Sequence, residues 1–330
     1  MEVTLSSQQA QDILALAHIK QSVSVKLLKK HNHVFELKAG DEVFYVKTYT
    51  KDWYRDLDEG AVRHEAAGYA ALSSRGIPAV PVLLVRADCD NPLRRPFLLT
   101  KQLRGRPLTE LLRESKPDDF KALLRATGSC LRRYHDIVFR FPGYIGHPDG
   151  PQEPPAKDGW LHFYCSAERM QNECLAWLEV ARPKLSPALA DQLREILSTM
   201  KVALAPAFSP PRFIQGDCHA HQFFLFQEHG GWHVSGSIDM EVASAGAPLC
   251  DLLKFNHEMM EEFSAKTRWW EPLFEGYGGE PDFAQFRLML LGDPSGPREQ
   301  SSIRILAATN WEQLFDAGHA RWPDRHQVVQ

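Results

Sequence analysis

Alternation of apolar and polar positions marks the first part of the chain as strand-forming. Val23–Leu28 and Val34–Leu37 alternate, and Val43-Phe44-Tyr45-Val46-Lys47 follows the turn Ala39-Gly40-Asp41-Glu42. Gly and Asp in that turn reverse the chain, which predicts a hairpin from the last two strands. A charged stretch then leads into a helix over Ala61–Ser74, with Ala67, Ala70, Ala71 and Leu72 gathered on one side. Gly76 stands just past it, where a helix end often needs glycine. Val80–Val85 reads as a further strand. After the loop Asp88–Arg95, the unbroken apolar run of Pro96-Phe97-Leu98-Leu99-Thr100 reads as a buried one. Beyond Gly105 the period changes. Leu108–Glu114, Phe120–His135, Ala167–Glu179 and Pro187–Leu204 read as helices, with Pro187 tolerated in a first turn. A Pro- and Gly-rich loop fills the interval from His147 to Gly159. Two short strands, Phe223–Phe226 and His233–Ile238, flank Gly230-Gly231, and the remainder is again helical and rich in Trp and Phe.

This pattern predicts an α+β architecture: a small N-terminal lobe of antiparallel sheet plus helix, then a larger helical lobe. The length of 330 residues suits two lobes around a cleft, divided here as 1–103 and 104–330. Hydrophobic residues at 44% and charged residues at 24% are those of an ordinary soluble protein. A net charge of −4 lacks the basic excess of a nucleic-acid binder. The N-terminus has neither the basic start nor the apolar core of a signal peptide. No apolar run approaches the ~20 residues that span a bilayer, so no integral membrane segment is expected. The six cysteines are scattered without a C-x-x-C pair, which suggests reduced thiols in a cytoplasmic protein.

Four features occur in a meaningful order. Lys47 ends a strand, and Glu65 lies on the helix that follows. Phe213-Ile214-Gln215-Gly216-Asp217-Cys218-His219-Ala220-His221-Gln222-Phe223 precedes a hairpin, and Ile238-Asp239-Met240-Glu241 closes it. Phosphoryl transfer asks for such parts. A strand lysine can neutralise phosphates while a helix carboxylate holds it in place. A loop aspartate can orient the attacking hydroxyl and accept its proton. Two oxygen ligands, one from the loop and one from the next strand end, can hold a divalent cation. Each part alone is commonly a solvated charge or a turn; their order carries the reading.

Gln215-Gly216-Asp217-Cys218-His219-Ala220-His221-Gln222 resembles the H-G-D-x-H-x-x-N loop of the aminoglycoside phosphotransferase and choline kinase family, a branch of the protein-kinase-like fold. Ile238-Asp239-Met240-Glu241-Val242-Ala243, continuing to Gly246-Ala247-Pro248-Leu249-Cys250-Asp251-Leu252, is similar to that family's I-D-x-E-x-A…G-x-P-x-x-D-L segment. The likeness reaches back to Asn32-His33-Val34-Phe35, Lys47, Glu65-Ala66-Ala67 and Leu98–Pro107, and forward to Phe274-Glu275-Gly276-Tyr277. It implies a bilobal kinase that uses ATP and Mg²⁺ to phosphorylate a hydroxyl on a sugar, aminoglycoside or amino alcohol. Residue by residue, it implies Asp217 as the base, Asp239 and Gln222 as Mg²⁺ ligands, and Lys47 on phosphate braced by Glu65. The backbone at Gln102 and Leu103 would meet adenine. Gln215, His219 and Asp251 would shape the loop.

Two positions depart from the pattern, Gln215 for His and Gln222 for Asn. Both keep hydrogen-bonding capacity, and Gln222 retains an amide oxygen at the cost of one more methylene and its rotamers. These departures leave room for a nucleotide-binding pseudokinase that acts as a scaffold. Asp217-Cys218 with Gln222-Phe223-Phe224-Leu225, and Asn91–Thr100, also resemble lipopolysaccharide core kinases, with Arg94, Arg95, Arg104 and Arg106 as candidates for a basic patch. No G-x-G-x-x-G precedes Lys47; the loop there is Leu27–Asn32, where Lys29 and Lys30 either reach phosphate or form a solvated tip. His219 and His221 alternate as metal ligands can, but no third ligand stands near them in sequence. Cys218 reads as a packing residue. Glu258, Glu261, Glu262, Glu271 and Glu275, interleaved with Phe263, Trp269, Trp270, Phe274 and Tyr277, fit either a cationic acceptor site or ordinary amphipathic helices. Acceptor identity and oligomeric state stay open.

Overall fold

The computed structural model describes residues 4–29, 32–49, 58–153, 163–292 and 299–319. Lys30, His31 and residues 154–159 of the Pro/Gly-rich loop, all named above, lie outside them. The N-terminal part comprises α1 (Ser7–Leu16), β1 (Val23–Lys29), β2 (Val34–Ala39), β3 (Glu42–Thr48), α2 (Asp58–Ser73), β4 (Val82–Arg86) and β5 (Phe97–Lys101). Its strands form one five-stranded antiparallel sheet in the order β1-β2-β3-β5-β4. The β2–β3 turn is as short as its Gly-Asp pair implies: Ala39 pairs with Glu42, and Gly40 takes a φ of +59°.

Strand periodicity decides which side chains meet the cleft. Phe44 and Val46 of β3, with Phe97 and Leu99 of β5, turn to one face and bury against Ala10, Ile13 and Leu14 of α1. Their neighbours Tyr45, Lys47, Leu98 and Thr100 turn to the opposite face, where they line a cavity. Lys47 therefore faces inward because the hydrophobic effect commits Phe44 and Val46 to the other side. The helix α1 was not anticipated. Ser6 and Gln9 form a reciprocal capping box at its start, and Ala10, Ile13 and Leu14 give it a buried stripe.

The rest is mainly helical. It contains β6 (Arg106–Pro107), α3 (Leu108–Glu114), α4 (Pro117–His135), β7 (Gly143–Tyr144), α5 (Ala167–Ala181), α6 (Pro187–Leu197) and α7 (Met200–Leu204). Then follow β8 (Arg212–Ile214), β9 (Phe223–Glu228), β10 (Gly231–Ser237), β11 (Ser244–Gly246), α8 (Pro248–Glu262), α9 (Trp270–Tyr277), α10 (Phe283–Leu291), α11 (Glu299–Ala307) and α12 (Trp311–His319). The helix expected over Pro187–Leu204 is split at Ser198 and Thr199. The expected β9–β10 hairpin is present, extended by β6 into a small sheet, and a second small sheet joins β7, β11 and β8. Among the described residues, no helix is long and apolar enough to cross a membrane.

Helices α4 and α9 touch through glycine. A Cβ on Gly128 would lie 2.1 Å from the Leu273 carbonyl oxygen, and one on Gly276 would lie 2.1 Å from that of Arg125. Neither backbone can yield without parting the helices. Gly128→Ala should therefore destabilise the protein by about 1–3 kcal/mol, read as a fall in thermal midpoint. An unchanged midpoint would show that this approach is not needed. The contact also sets Tyr277 at the end of α9 against His135 at the end of α4, with Tyr277 Oη 2.8 Å from His135 Nδ1.

Candidate active site

The β-sheet and α2 bring Lys47 and Glu65 together. Lys47 Nζ lies 2.8 Å from Glu65 Oε2, 2.5 Å from Asp239 Oδ1 and 3.1 Å from Glu241 Oε2. Burial works against the lysine charge, but the carboxylates of Asp239, Glu65 and Glu241 overcome it and hold the ammonium well above its ordinary pKa. Two tyrosines fix the brace. Tyr49 donates to Glu65 Oε2 at 2.5 Å and Tyr69 to Oε1 at 2.8 Å. Tyr69 Oη also accepts from the backbone N–H of Asp239 at 3.0 Å, tying α2 to the strand end that carries Asp239. Asp239 itself has a φ of +69°, an unusual backbone for a non-glycine residue. Its carboxyl is partly buried, which opposes charge, yet Lys47 holds its pKa below the ordinary value.

Asp217 follows Gly216, whose φ of +82° and closeness to the Val242 carbonyl leave no room for a side chain. Asp251, fully buried at the start of α8, accepts from Gln215 N–H at 2.7 Å and from Gly216 N–H at 2.9 Å. Its Oδ2 also lies 3.3 Å from His135 Nε2. The loop is thus hung on one carboxylate. At Asp217, His219 Nε2 and Lys254 Nζ both stand 3.2 Å from Oδ1. Burial disfavours the Asp217 charge, but the His219 hydrogen bond and the Lys254 ammonium hold its carboxyl well below the usual range. Its negative charge is felt at Asp239, so the two aspartates share one electrostatic field.

Gln222, expected as a cation ligand, is tied into the loop by its own amide oxygen. Its side chain is only 2% exposed. Its Oε1 accepts from Gln215 Nε2 at 2.7 Å and from His219 N–H at 3.0 Å. Gln215 Nε2 also donates to the Ile238 carbonyl at 2.7 Å, one residue before Asp239. The two departures from the family pattern are therefore partners: one glutamine spans to the other and joins the loop to the hairpin end. The carboxylates that do converge are Glu65, Asp239 and Glu241, with ligand oxygens within 4.8 Å of one another. Glu241 also accepts from Asn32 Nδ2 at 2.8 Å. Nothing in the spacing of Glu241 announced that placement.

A cavity of about 320 Å³ opens beside this cluster. Its walls carry Lys29, Lys47, Glu65 and Asp239 at one end and Gln102 and Leu103 at the other, with Val80, Leu98, Phe224 and Ile238 supplying apolar surface. Lys29 thus faces the cavity, and its charge reaches Asp239. Gln102 N–H is committed to the Val43 carbonyl at 3.0 Å. Several other candidates have ordinary structural duties. Arg104 pairs with Glu228 and lies over Phe226, while Arg106 pairs with Glu110 and Glu114. Trp269, Trp270 and Phe315 pack on one another in the core, which accounts for the aromatic content of that region. Cys218 is buried, which pushes its thiol pKa up and makes it unreactive.

The model of the phosphotransferase enzyme family matches residues 27–288. The chain belongs to that family. No curated protein matches it. Among solved structures, it is similar to a Ralstonia eutropha protein classed with the aminoglycoside phosphotransferases, at 12% identity and a TM-score of 0.60, covering 96% of this chain and 98% of that one. It is similar also to an APH(2'') enzyme in complex with GDP and kanamycin, at 14% identity and a TM-score of 0.54 over 95% and 96% of the two chains. A Plasmodium vivax ethanolamine kinase aligns at 12% identity and a TM-score of 0.50 over 91% and 80%. At such identities these likenesses establish the kinase-like α+β fold of the family.

Glu241 gives the phosphotransferase a pH signature. Burial, reinforced by Asp239 and Glu65 and only partly offset by Lys47, pushes its pKa up to about 7. A carboxyl that binds its proton more tightly folded than unfolded withdraws stability as pH rises from its unfolded pKa towards 7. The thermal midpoint without nucleotide or divalent cation should therefore fall between pH 5 and pH 8, and Glu241→Gln should flatten that fall. A midpoint that rises over this range in the parent, or an equal slope in Glu241→Gln, contradicts the assignment.

Proposed function

We propose that this phosphotransferase moves the γ-phosphoryl group of ATP to a hydroxyl of a small molecule, with Asp217 facing the acceptor and Lys47 the nucleotide phosphates. The observation that carries the reading is the convergence of Lys47, Glu65 and Asp239 on one end of a cavity whose other end is the Gln102–Leu103 connector. A nucleoside triphosphate would lie with its base at the connector, where the Gln102 carbonyl and Leu103 N–H would meet it. Its phosphates then reach Lys47, with Lys29 as a second cation. The GDP and kanamycin held by the APH(2'') enzyme of this fold support both a nucleotide and a small polar acceptor.

Mg²⁺ fits the donor set, since Glu65, Asp239 and Glu241 offer the hard oxygens it prefers. When bound, it would be held by Asp239 with Glu241 and would offset charge on the phosphates. In this reading Gln222 holds the loop and leaves cation binding to Glu241. Lys47 must move its ammonium from Asp239 towards phosphate, and Glu65, held by Tyr49 and Tyr69, stays as its anchor. Both donors to Asp217 meet Oδ1, which leaves Oδ2 to receive the acceptor's hydroxyl. A carboxylate with so low a pKa is a weak base before reaction. It orients the hydroxyl first and takes the proton late, as the new O–P bond forms and the bond from the γ-phosphorus to the bridging oxygen breaks, releasing ADP.

The test is nucleotide consumption across aminoglycosides, choline-like alcohols, amino acids and sugars, with phosphorylated product identified by mass. A product that carries one added phosphoryl on an alcohol oxygen is expected. Tight nucleotide binding without turnover on any hydroxyl compound would favour an inert nucleotide-binding scaffold instead.

A further inference from the structure

The fold supplies what the sequence lacked beside His219 and His221: a third ligand. Glu258, on the α8 turn after Lys254, places Oε1 2.7 Å from His221 Nδ1 and Oε2 3.9 Å from His219 Nδ1. One ligand atom from each residue lies within 4.8 Å of the other two. The rings stack with centroids 5.4 Å apart, and each has its Nδ1 within 4 Å of the Glu258 carboxylate. That carboxylate is pinned by the backbone, since His221 N–H donates to Oε2 at 3.1 Å. A separate observation concerns the far side of His219. Its Nε2 stands 3.2 Å from Asp217 Oδ1. A histidine that ligates metal through one nitrogen characteristically gives its other N–H to a carboxylate, which fixes tautomer and ring.

We infer that His219, His221 and Glu258 form a site for a divalent transition metal of the Zn²⁺ class, distinct from the nucleotide's cation site, with His219 bridging it to Asp217. Two imidazoles and a carboxylate suit Zn²⁺, Co²⁺ or Ni²⁺ and discriminate against Mg²⁺, which prefers oxygen donors alone. Three protein ligands leave one position open. A metal on His219 Nδ1 strengthens the Nε2–H donor and withdraws electron density from Asp217, so occupancy slows transfer. This consequence rests on the role proposed for Asp217; the binding does not.

The experiment strips the full chain of metal and titrates Zn²⁺ and Co²⁺ in excess Mg²⁺ without nucleotide. Zn²⁺ is followed by competition with a chromophoric chelator and Co²⁺ by its visible absorption. One Mg²⁺-resistant ion per chain is expected. His221→Ala and Glu258→Gln should each weaken it at least about tenfold, with thermal midpoints confirming that both fold. Asp239→Asn should leave it unchanged. Absence of a Mg²⁺-resistant ion, equal Zn²⁺ affinity in His221→Ala and Glu258→Gln, or loss in Asp239→Asn would each overturn the site. Zn²⁺ binding with an unaltered transfer rate would overturn the inhibitory consequence, whereas Zn²⁺ binding by a protein without transfer activity would uphold the site and refute the role of Asp217.

Discussion

Asp217→Asn should lower kcat by about 10²–10⁴-fold, the usual worth of a positioned acid–base group, while nucleotide affinity changes little. Asparagine has nearly the same shape, so the loop hung on Asp251 keeps its form. What disappears is the negative charge that aligns the acceptor's hydroxyl and accepts its proton. Lys254 and His219, which now give hydrogen bonds to Oδ1, would still find an amide oxygen. Single-turnover phosphorylation with saturating acceptor measures the effect. A residual rate within a few-fold of the parent would mean that Asp217 does not meet the acceptor. The low pKa of Asp217 adds a second expectation. Its ionisation should impose no acid limb on kcat above about pH 4.

Lys47→Met should damage both stability and activity. The ammonium now sits among Glu65, Asp239 and Glu241. Removing it leaves three carboxylates crowded without the ammonium that all of them contact. Breaking one side of a buried charge cluster costs about 3 kcal/mol, or a midpoint lower by about 5 °C. Mg²⁺ without nucleotide should restore much of that loss, because the same oxygens would then share the divalent ion. Transfer would stay impaired even with Mg²⁺, since no ammonium reaches the phosphates. Thermal scans of parent and variant with and without Mg²⁺ decide it. Equal midpoints for the two without Mg²⁺ would show that the cluster is not held by Lys47.

Much of this arrangement was readable from the chain because the strands obey a strict period. Phe44 and Val46 must bury together, so Lys47 must point the other way. Glu65, Asp217, Asp239 and Asp251 are recognisable because each stands in a short run whose order along the chain is itself informative. Tyr69 could have been found as well: it lies four residues after Glu65, on the same helical face. Other features had no linear signal. The strands β6, β7, β8 and β11 span two or three residues, too few to show alternation. Helix α1 carried its signal in Ser6 and Gln9, which was legible but unread. Glu241, Lys254 and Glu258 gain meaning only when separate elements pack. Gln222 shows the limit most sharply. Its identity announces an amide oxygen, but only the fold reveals that Gln215 and the His219 N–H already fill that acceptor. Chemistry at a position is local, whereas competition for that chemistry is tertiary.

The central claim is that a lysine from the sheet and an aspartate from the far hairpin serve one triphosphate. Calorimetric titration of ATP into the parent and into Asp239→Asn, each with and without Mg²⁺, tests it directly. Tighter binding of ATP with Mg²⁺ in the parent, and loss of that gain in Asp239→Asn, is the expected result. The same Mg²⁺ dependence in both proteins would contradict it.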